Sequence, residues 1–291
     1  MHGKIVFAGL ILALSAAGAS AQNRGQTTTQ DDIYCSGIVT TESVPRDTYV
    51  ITGEESIVKN TFMEGDYVYV NKGANQGVKV GDQFFVVREI KDPIDVQWAK
   101  WQFSILKKLG KVWADEGRVK VVVVQPDVSI AQVQKSCNYL QRGDTVLPFT
   151  ERPAPPLKSE ENFDRFAPPS GKPTAMVISG RYWAQQSGTN STIYVNLGTN
   201  QGVRIGDYFR IFRYQGTEHE TAYQIKRIAF EIEPEFGLAG FGAVPKKWNW
   251  GNVPREVLGE GVVVRTAPNS SSVLITFSLR EVLAGDYVEL E

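Results

Sequence analysis

One histidine outside the first few residues, two cysteines and a scatter of carboxylates carry whatever reactive chemistry this chain could offer. A Ser-His-Asp or Cys-His nucleophilic centre would have to be assembled on His219, because the other histidine, His2, lies at the very start. His219 sits in Gly216-Thr-Glu-His-Glu-Thr, a run that reads as a polar loop rather than a site that orients a base. Glycoside hydrolysis needs two carboxylates facing each other across a bond. Glu231, Glu233 and Glu235 supply acids, but their alternation with Ile232 and Pro234 fits a solvated strand edge or loop better. Zinc sites built from His and Cys are starved of ligands. Five Gly-Asp pairs, Gly65-Asp66, Gly81-Asp82, Gly143-Asp144, Gly206-Asp207 and Gly285-Asp286, could offer oxygens to calcium, yet the dense D-x-D-x-D-G spacing is missing. Aspartates that cap their own turns are expected instead. The expectation is a protein that is not an enzyme, with no catalytic residue, no metal ligands and no cofactor.

The elements that hold these residues follow from a repeat. Tyr69 to Arg88, YVNKGANQGVKVGDQFFVVR, returns 125 positions later as Tyr194 to Arg213, YVNLGTNQGVRIGDYFRIFR, with twelve of twenty residues identical. Downstream the offset becomes 142: Gly117 lies over Gly259, Pro126 over Pro268, Ser136 over Ser278 and Gly143-Asp144 over Gly285-Asp286. The second copy therefore carries 17 extra residues, somewhere in Tyr214 to Leu258. Aromatic and β-branched runs such as Tyr67 to Val70, Phe84 to Val87 and Val119 to Val124, separated by glycine turns, predict short strands in a small twisted sheet or partly closed barrel. Gly73, Gly77 and Gly81 are expected at turn positions needing positive φ. Ser129 to Leu140 and Ser270 to Leu283 are expected to be strand-like hairpins, with a short helix as the other reading of each.

The fold class expected is mainly β, with two tandem homologous small β-sheet or barrel-like domains and variable inserts. Their bounds are 33–150 and 172–291, joined by a Pro-rich linker over 151–171 that holds Pro153, Pro155, Pro156, Pro168 and Pro169. Residues 22–32 are expected to be a flexible lead. Residues 1–21, with Lys4, an apolar run from Ile5 to Ala17 and Ala19-Ser-Ala21, have the pattern of a cleaved secretory signal. No Cys follows the cleavage site to take a lipid anchor, and no later stretch approaches roughly 18 uninterrupted apolar residues, so a periplasmic or secreted chain without a transmembrane segment is expected. Removing the signal takes away Lys4 and leaves 30 basic against 32 acidic residues, no excess with which to bind nucleic acid or anionic lipid by bulk charge. In an oxidising compartment Cys35 and Cys137 read as a disulfide rather than two free thiols, tying the start of the first copy to its end.

Tryptophans are the remaining chemistry. Trp98, Trp101, Ile105 and Leu109 recur at helical spacing within Asp95 to Leu109, which predicts an amphipathic helix; on it Trp98 and Trp101 either cover a sheet end or anchor a partner. Trp248 and Trp250 alternate, so a strand there would show both on one face as an exposed patch. These four are the candidate partner-binding residues, the partners being envelope proteins or cell-wall polymer. The Asn-Gln-Gly-Val, Gly-Asp and Phe84-Phe-Val-Val-Arg88 run, with its downstream Ser136-x6-Gly143-Asp144, resembles the C-terminal domain of flagellar assembly protein T. It is also similar to the region after the LysM module in some Gram-negative envelope proteins. That resemblance implies an envelope-associated β-module that packs against other proteins or cell-wall polymer, and brings no catalytic residues. An interaction or structural role in an envelope assembly is expected, the alternative being peptidoglycan or polysaccharide binding through exposed tryptophans.

Overall fold

Each Gly-Asp pair turns the chain in the same way. The five glycines have φ between 86 and 100, and the aspartate after each accepts a hydrogen bond from the backbone N–H three residues earlier: Met63 to Asp66, Lys79 to Asp82, Gln141 to Asp144, Arg204 to Asp207 and Leu283 to Asp286, at 2.6–2.9 Å. The carboxylates expected to cap their own turns do so. Gly77 and Gly81 take positive φ, but Gly73 is extended (φ −135); its missing side chain serves a close approach to the carbonyls of Gln125 and Pro126.

A computed structural model of the chain describes residues 27–92, 97–99, 101–158, 163–214 and 254–291. The signal-like residues, His219, the Glu231 to Glu235 run, Trp248 and Trp250 lie outside the described residues. Among those described, the protein is mainly β. The first part contains α1 (Gln30–Tyr34), β1 (Ile38–Thr40), β2 (Val50–Gly53), β3 (Thr61–Phe62), β4 (Tyr67–Val70), β5 (Gln83–Ile90), α2 (Gln102–Leu109), β6 (Lys111–Val124), β7 (Ser129–Ser136), β8 (Leu140–Gln141) and β9 (Thr145–Pro148). The second contains β10 (Thr174–Gly180), β11 (Gln186–Ser187), β12 (Thr192–Val195), β13 (Tyr208–Arg213), β14 (Glu256–Thr266), β15 (Ser271–Ser278), β16 (Val282–Leu283) and β17 (Tyr287–Leu290). Both segments left between helix and strand are therefore strands, β7 and β15.

The first sheet runs β2-β4-β7-β6-β5-β9, with β1 added beside β6, and a single antiparallel bridge between Tyr49 and Thr145 brings its two edges together. The second runs β10-β12-β15-β14-β13-β17 and closes into a six-stranded barrel through β10 and β17. Taken in chain order, the two strand orders are the same. Alternation fills each interior: Val50, Val68, Val70, Val86, Val119, Ala131 and Val146 in one, Val177, Ile193, Val195, Phe209, Ile211, Val273 and Val288 in the other. Arg88 pairs with Asp144 at 2.7 and 2.8 Å, and Arg213 with Asp286 at 2.6 and 2.8 Å, so the arginine ending each repeated run clamps the last Gly-Asp turn of its own sheet.

Residues 27–32, the described part of the expected lead, make specific contacts. Thr29 caps α1 reciprocally with Asp32, Thr28 is buried, and its N–H donates to Pro155. A polar composition hid this, because the order comes from contacts more than a hundred residues away. The Pro-rich stretch is likewise fastened along its described length: Arg152 to Asp115, the N–H of Lys158 to the Tyr208 hydroxyl, Arg165 to Glu256, and the N–H of Ser170 to Glu289. No helix among the described residues is long and apolar enough to cross a membrane.

Candidate functional site

Chemistry and display converge where the first sheet meets the second barrel. The segment Ser36 to Thr40 lies in that seam. On one side Ile38, Val39 and Thr40 pair with Trp113, Val112 and Lys111 of β6. On the other, the carbonyls of Ser36, Gly37 and Val39 accept hydrogen bonds from Tyr194 Oη (3.2 Å), Ser272 Oγ (2.7 Å) and Ser270 Oγ, all buried and all from the second barrel. Gly37 (φ 63) has no room for a side chain, since a Cβ would run into the Tyr194 hydroxyl. Val39, Leu109 and Val112 from the first part pack with Ile178, Trp183 and Tyr194 from the second to make the apolar part of the seam.

Two buried acids on β6 govern its electrostatics. Asp115 is 1% exposed; it accepts the N–H of Gly37 at 2.8 Å and faces Arg152 at 3.1 Å and Arg265 at 3.2 Å. Burial alone would raise its carboxyl, but the Arg265 and Arg152 guanidiniums and that N–H together hold it below the usual carboxylate range. Glu116 is fully buried next door, 3.5 Å from Arg88, and accepts a hydrogen bond from the Tyr182 hydroxyl at 3.3 Å. Burial pushes it up to about 7 despite Arg88, and the Asp144 charge adds to the rise. Burial and the Glu116 charge also push the Tyr182 phenol up to about 12. Tyr182 and Trp183 both hold left-handed backbone (φ 55 and 63), a strained arrangement that aims Tyr182 across the seam. Beside them a polar cleft of about 470 Å³ opens between Asp31, Asp32 and Ser136 on one wall and Arg181, Tyr182 and Asn190 on the other.

The expected disulfide is present. Cys35, at the end of α1, bonds Cys137, after β7, across 102 residues of sequence. Its backbone carries the seam further, since Arg181 donates to the Cys35 carbonyl at 2.9 Å and the N–H of Cys137 to that of Glu116 at 2.8 Å.

The helix expected from Asp95 starts only at Gln102, so Trp98 and Trp101 precede it and the single apolar face drawn through them does not form. Leu109 and Ile105 face the seam as the spacing implied, and Trp98 is half-buried, its N–H donating to Gln102 Oε1. Trp101 instead is 60% exposed, on left-handed backbone (φ 72). Gln102, fully buried, donates from Nε2 to the Ile178 carbonyl at 2.7 Å, which pins the start of the helix to the second barrel. Lys107 and Lys108 in its last turn are exposed. No spacing rule could have found this placement, because it depends on a glutamine reaching 76 residues along the chain.

Among the described residues no three His, Cys, Asp or Glu side chains come together as metal ligands. Neither protein-family models nor curated proteins yield a match to the chain.

Proposed function

We propose that the protein is an exported, non-catalytic component of the cell envelope that works by holding macromolecular partners in an assembly. The display of Trp101 carries this reading. A large aromatic ring stands 60% exposed at the root of a helix that Gln102 and Leu109 fix into the seam. Interfaces draw much of their energy from a few aromatic and arginine anchors, and an anchor whose base is already rigid loses little conformational freedom on capture. Lys107 and Lys108 are exposed at the far end of the same helix. The signal-like start and the resemblance to the C-terminal domain of flagellar assembly protein T support an envelope location, with envelope proteins as the partner class.

Affinity capture of the mature chain from envelope extract under mild crosslinking, read by mass spectrometry, tests the proposal against Trp101→Ala. A small reproducible set of envelope proteins, lost in the variant, is the expected result. Recovery of cell-wall polymer alone, abolished by digesting the sacculus, would replace the protein partner with a glycan. Equal recovery by both proteins would remove Trp101 from the role.

A further inference from the structure

Glu116 sits at an irregular place in its sheet. Asp115 pairs with Val87 and Gly117 with Val86, so Glu116 is the extra residue of a β-bulge on β6. The second barrel repeats the bulge, Val257 pairing with Phe212 and Gly259 with Ile211, and there the extra residue is Leu258, part of the barrel core. A bulge re-aims the side chain it carries. In one copy that side chain is aliphatic; in the other it is a fully buried carboxyl.

Among the described residues, the charged and titratable groups acting on Glu116 are Arg88 of β5, Asp144 of the turn before β9, and Tyr182 and Arg181 of the turn after β10. Arg88 gives Nε and Nη2 to Asp144 at 2.7 and 2.8 Å, while its Nη1 lies 3.5 Å from Glu116. Two buried carboxyls therefore lean on one guanidinium, and Asp144 holds the better bonds. Carboxylates that share a site in this way tend to keep a proton on one of them. Arg181 donates to the Cys35 carbonyl, and Asp115 beside Glu116 is matched by Arg152 and Arg265.

The tie from Glu116 to the second barrel is the Tyr182 hydroxyl, which donates to it at 3.3 Å. Pushed up to about 12, that phenol keeps its own proton throughout the range in which Glu116 titrates. Tyr182 and Trp183 both hold left-handed backbone, a conformation that persists in residues other than glycine when the surroundings fix it. Trp183 packs in one apolar cluster with Leu109, Ile105 and Leu106 of α2. Freeing the turn thus takes a wall from the seat of the helix that Trp101 begins. A carboxyl buried while the seam is closed and hydrated when it opens links proton loss to opening.

We propose that the Glu116 proton is the latch of this seam: with it in place the Tyr182–Trp183 turn stays seated and α2 presents Trp101 rigidly, and its loss frees the turn and slackens the helix. This names a control on partner capture and rests on the Trp101 reading for its use, although the latch itself needs no partner. Backbone hydrogen exchange of the oxidised mature chain between pH 5.5 and 8, corrected for the intrinsic rate at each pH, tests it. The amides to follow are Gly180 and Ala184, bonded within the turn, and Ile105 and Gly110 in and after α2. Their protection should fall about thirty-fold over that range, for a carboxyl titrating at about 7 in the closed seam and at its ordinary 4.5 in the open one. Glu116→Gln and Glu116→Leu, the second being the residue the other barrel uses, should hold protection constant. Trp101→Ala should keep the pH dependence, so the latch and the capture experiment fail separately. Wild-type protection that does not change with pH, or a pH dependence that survives in either Glu116 variant, would overturn the proposal. So would exchange of these amides at the rate of β12 and β15 at every pH, because the seam would then open only with the whole fold.

Discussion

The two sheets share a strand order and a set of turns, yet β6 carries Asp115 and Glu116 where β14 carries Val257 and Leu258. Leu258 belongs to the core of its barrel, and Val257 is buried against Ala167 and Phe212. The two acids are just as buried, but beside Arg88 and the Gly37 N–H of the first part they take Arg152, Arg265 and Tyr182 from the Pro-rich stretch and the second barrel. The same frame thus carries aliphatic side chains packed within its own half in one copy and charged ones that reach into the neighbour in the other.

The largest expected effect comes from removing what only the first sheet has. Cys35→Ser with Cys137→Ser should lower stability by about 4 to 5 kcal/mol in the chain-entropy account of a loop near 100 residues, read as a fall in the denaturant midpoint of oxidised protein. Asp115→Val, which imports the second barrel's residue, should cost about 3 to 5 kcal/mol, because two guanidiniums lose their carboxylate in a buried seam. Adding Arg265→Val, the residue at the first sheet's own counterpart position, should restore part of that loss. If the double variant were no more stable than the single one, the ion pair would not be what joins the two parts.

Glu116 sharpens the comparison through pH. Its folded-state carboxyl titrates at about 7, above the 4.5 usual for glutamate, so the native state holds that proton more tightly than the unfolded chain. Its contribution to stability is complete below pH 4.5 and is lost as pH rises through 7, a change on the order of 3 kcal/mol. Glu116→Gln, which cannot ionise, should therefore gain on wild type between pH 5 and 8, measured as the difference in unfolding free energy at each pH. A constant difference across that range would mean that Glu116 does not titrate there. The smallest effect belongs to Trp101→Ala, which should change stability by no more than about 0.5 kcal/mol, as surface substitutions usually do, while removing partner capture.

Much of the frame was legible because turn chemistry is local. Gly-Asp pairs, a period of two and the matching of Tyr69 to Arg88 with Tyr194 to Arg213 place the strands, since an aspartate needs only the N–H three residues back. The seam was not legible, because nothing near Asp115 in sequence announces Arg265, 150 residues on, and nothing in Thr27 to Asp32 announces Pro155. Tryptophan spacing misled for a related reason: helical periodicity counted Trp98 and Trp101 into a helix whose start is set by Gln102 reaching Ile178. The disulfide was read from parity and compartment, and it is the one long-range contact that sequence arithmetic could reach.

The carbonyls of Gly37 and Val39 take their hydrogen bonds from serines 235 and 231 residues further along the chain. During synthesis these carbonyls are made more than two hundred residues before their donors. Contacts so distant in sequence are the slow ones to form, so the first sheet must wait, with Val39 partly uncovered, until the strands of the barrel that pack on it are available. β1 is thus completed long after it is laid down, and a nascent or truncated chain without the barrel is exposed to misassociation there.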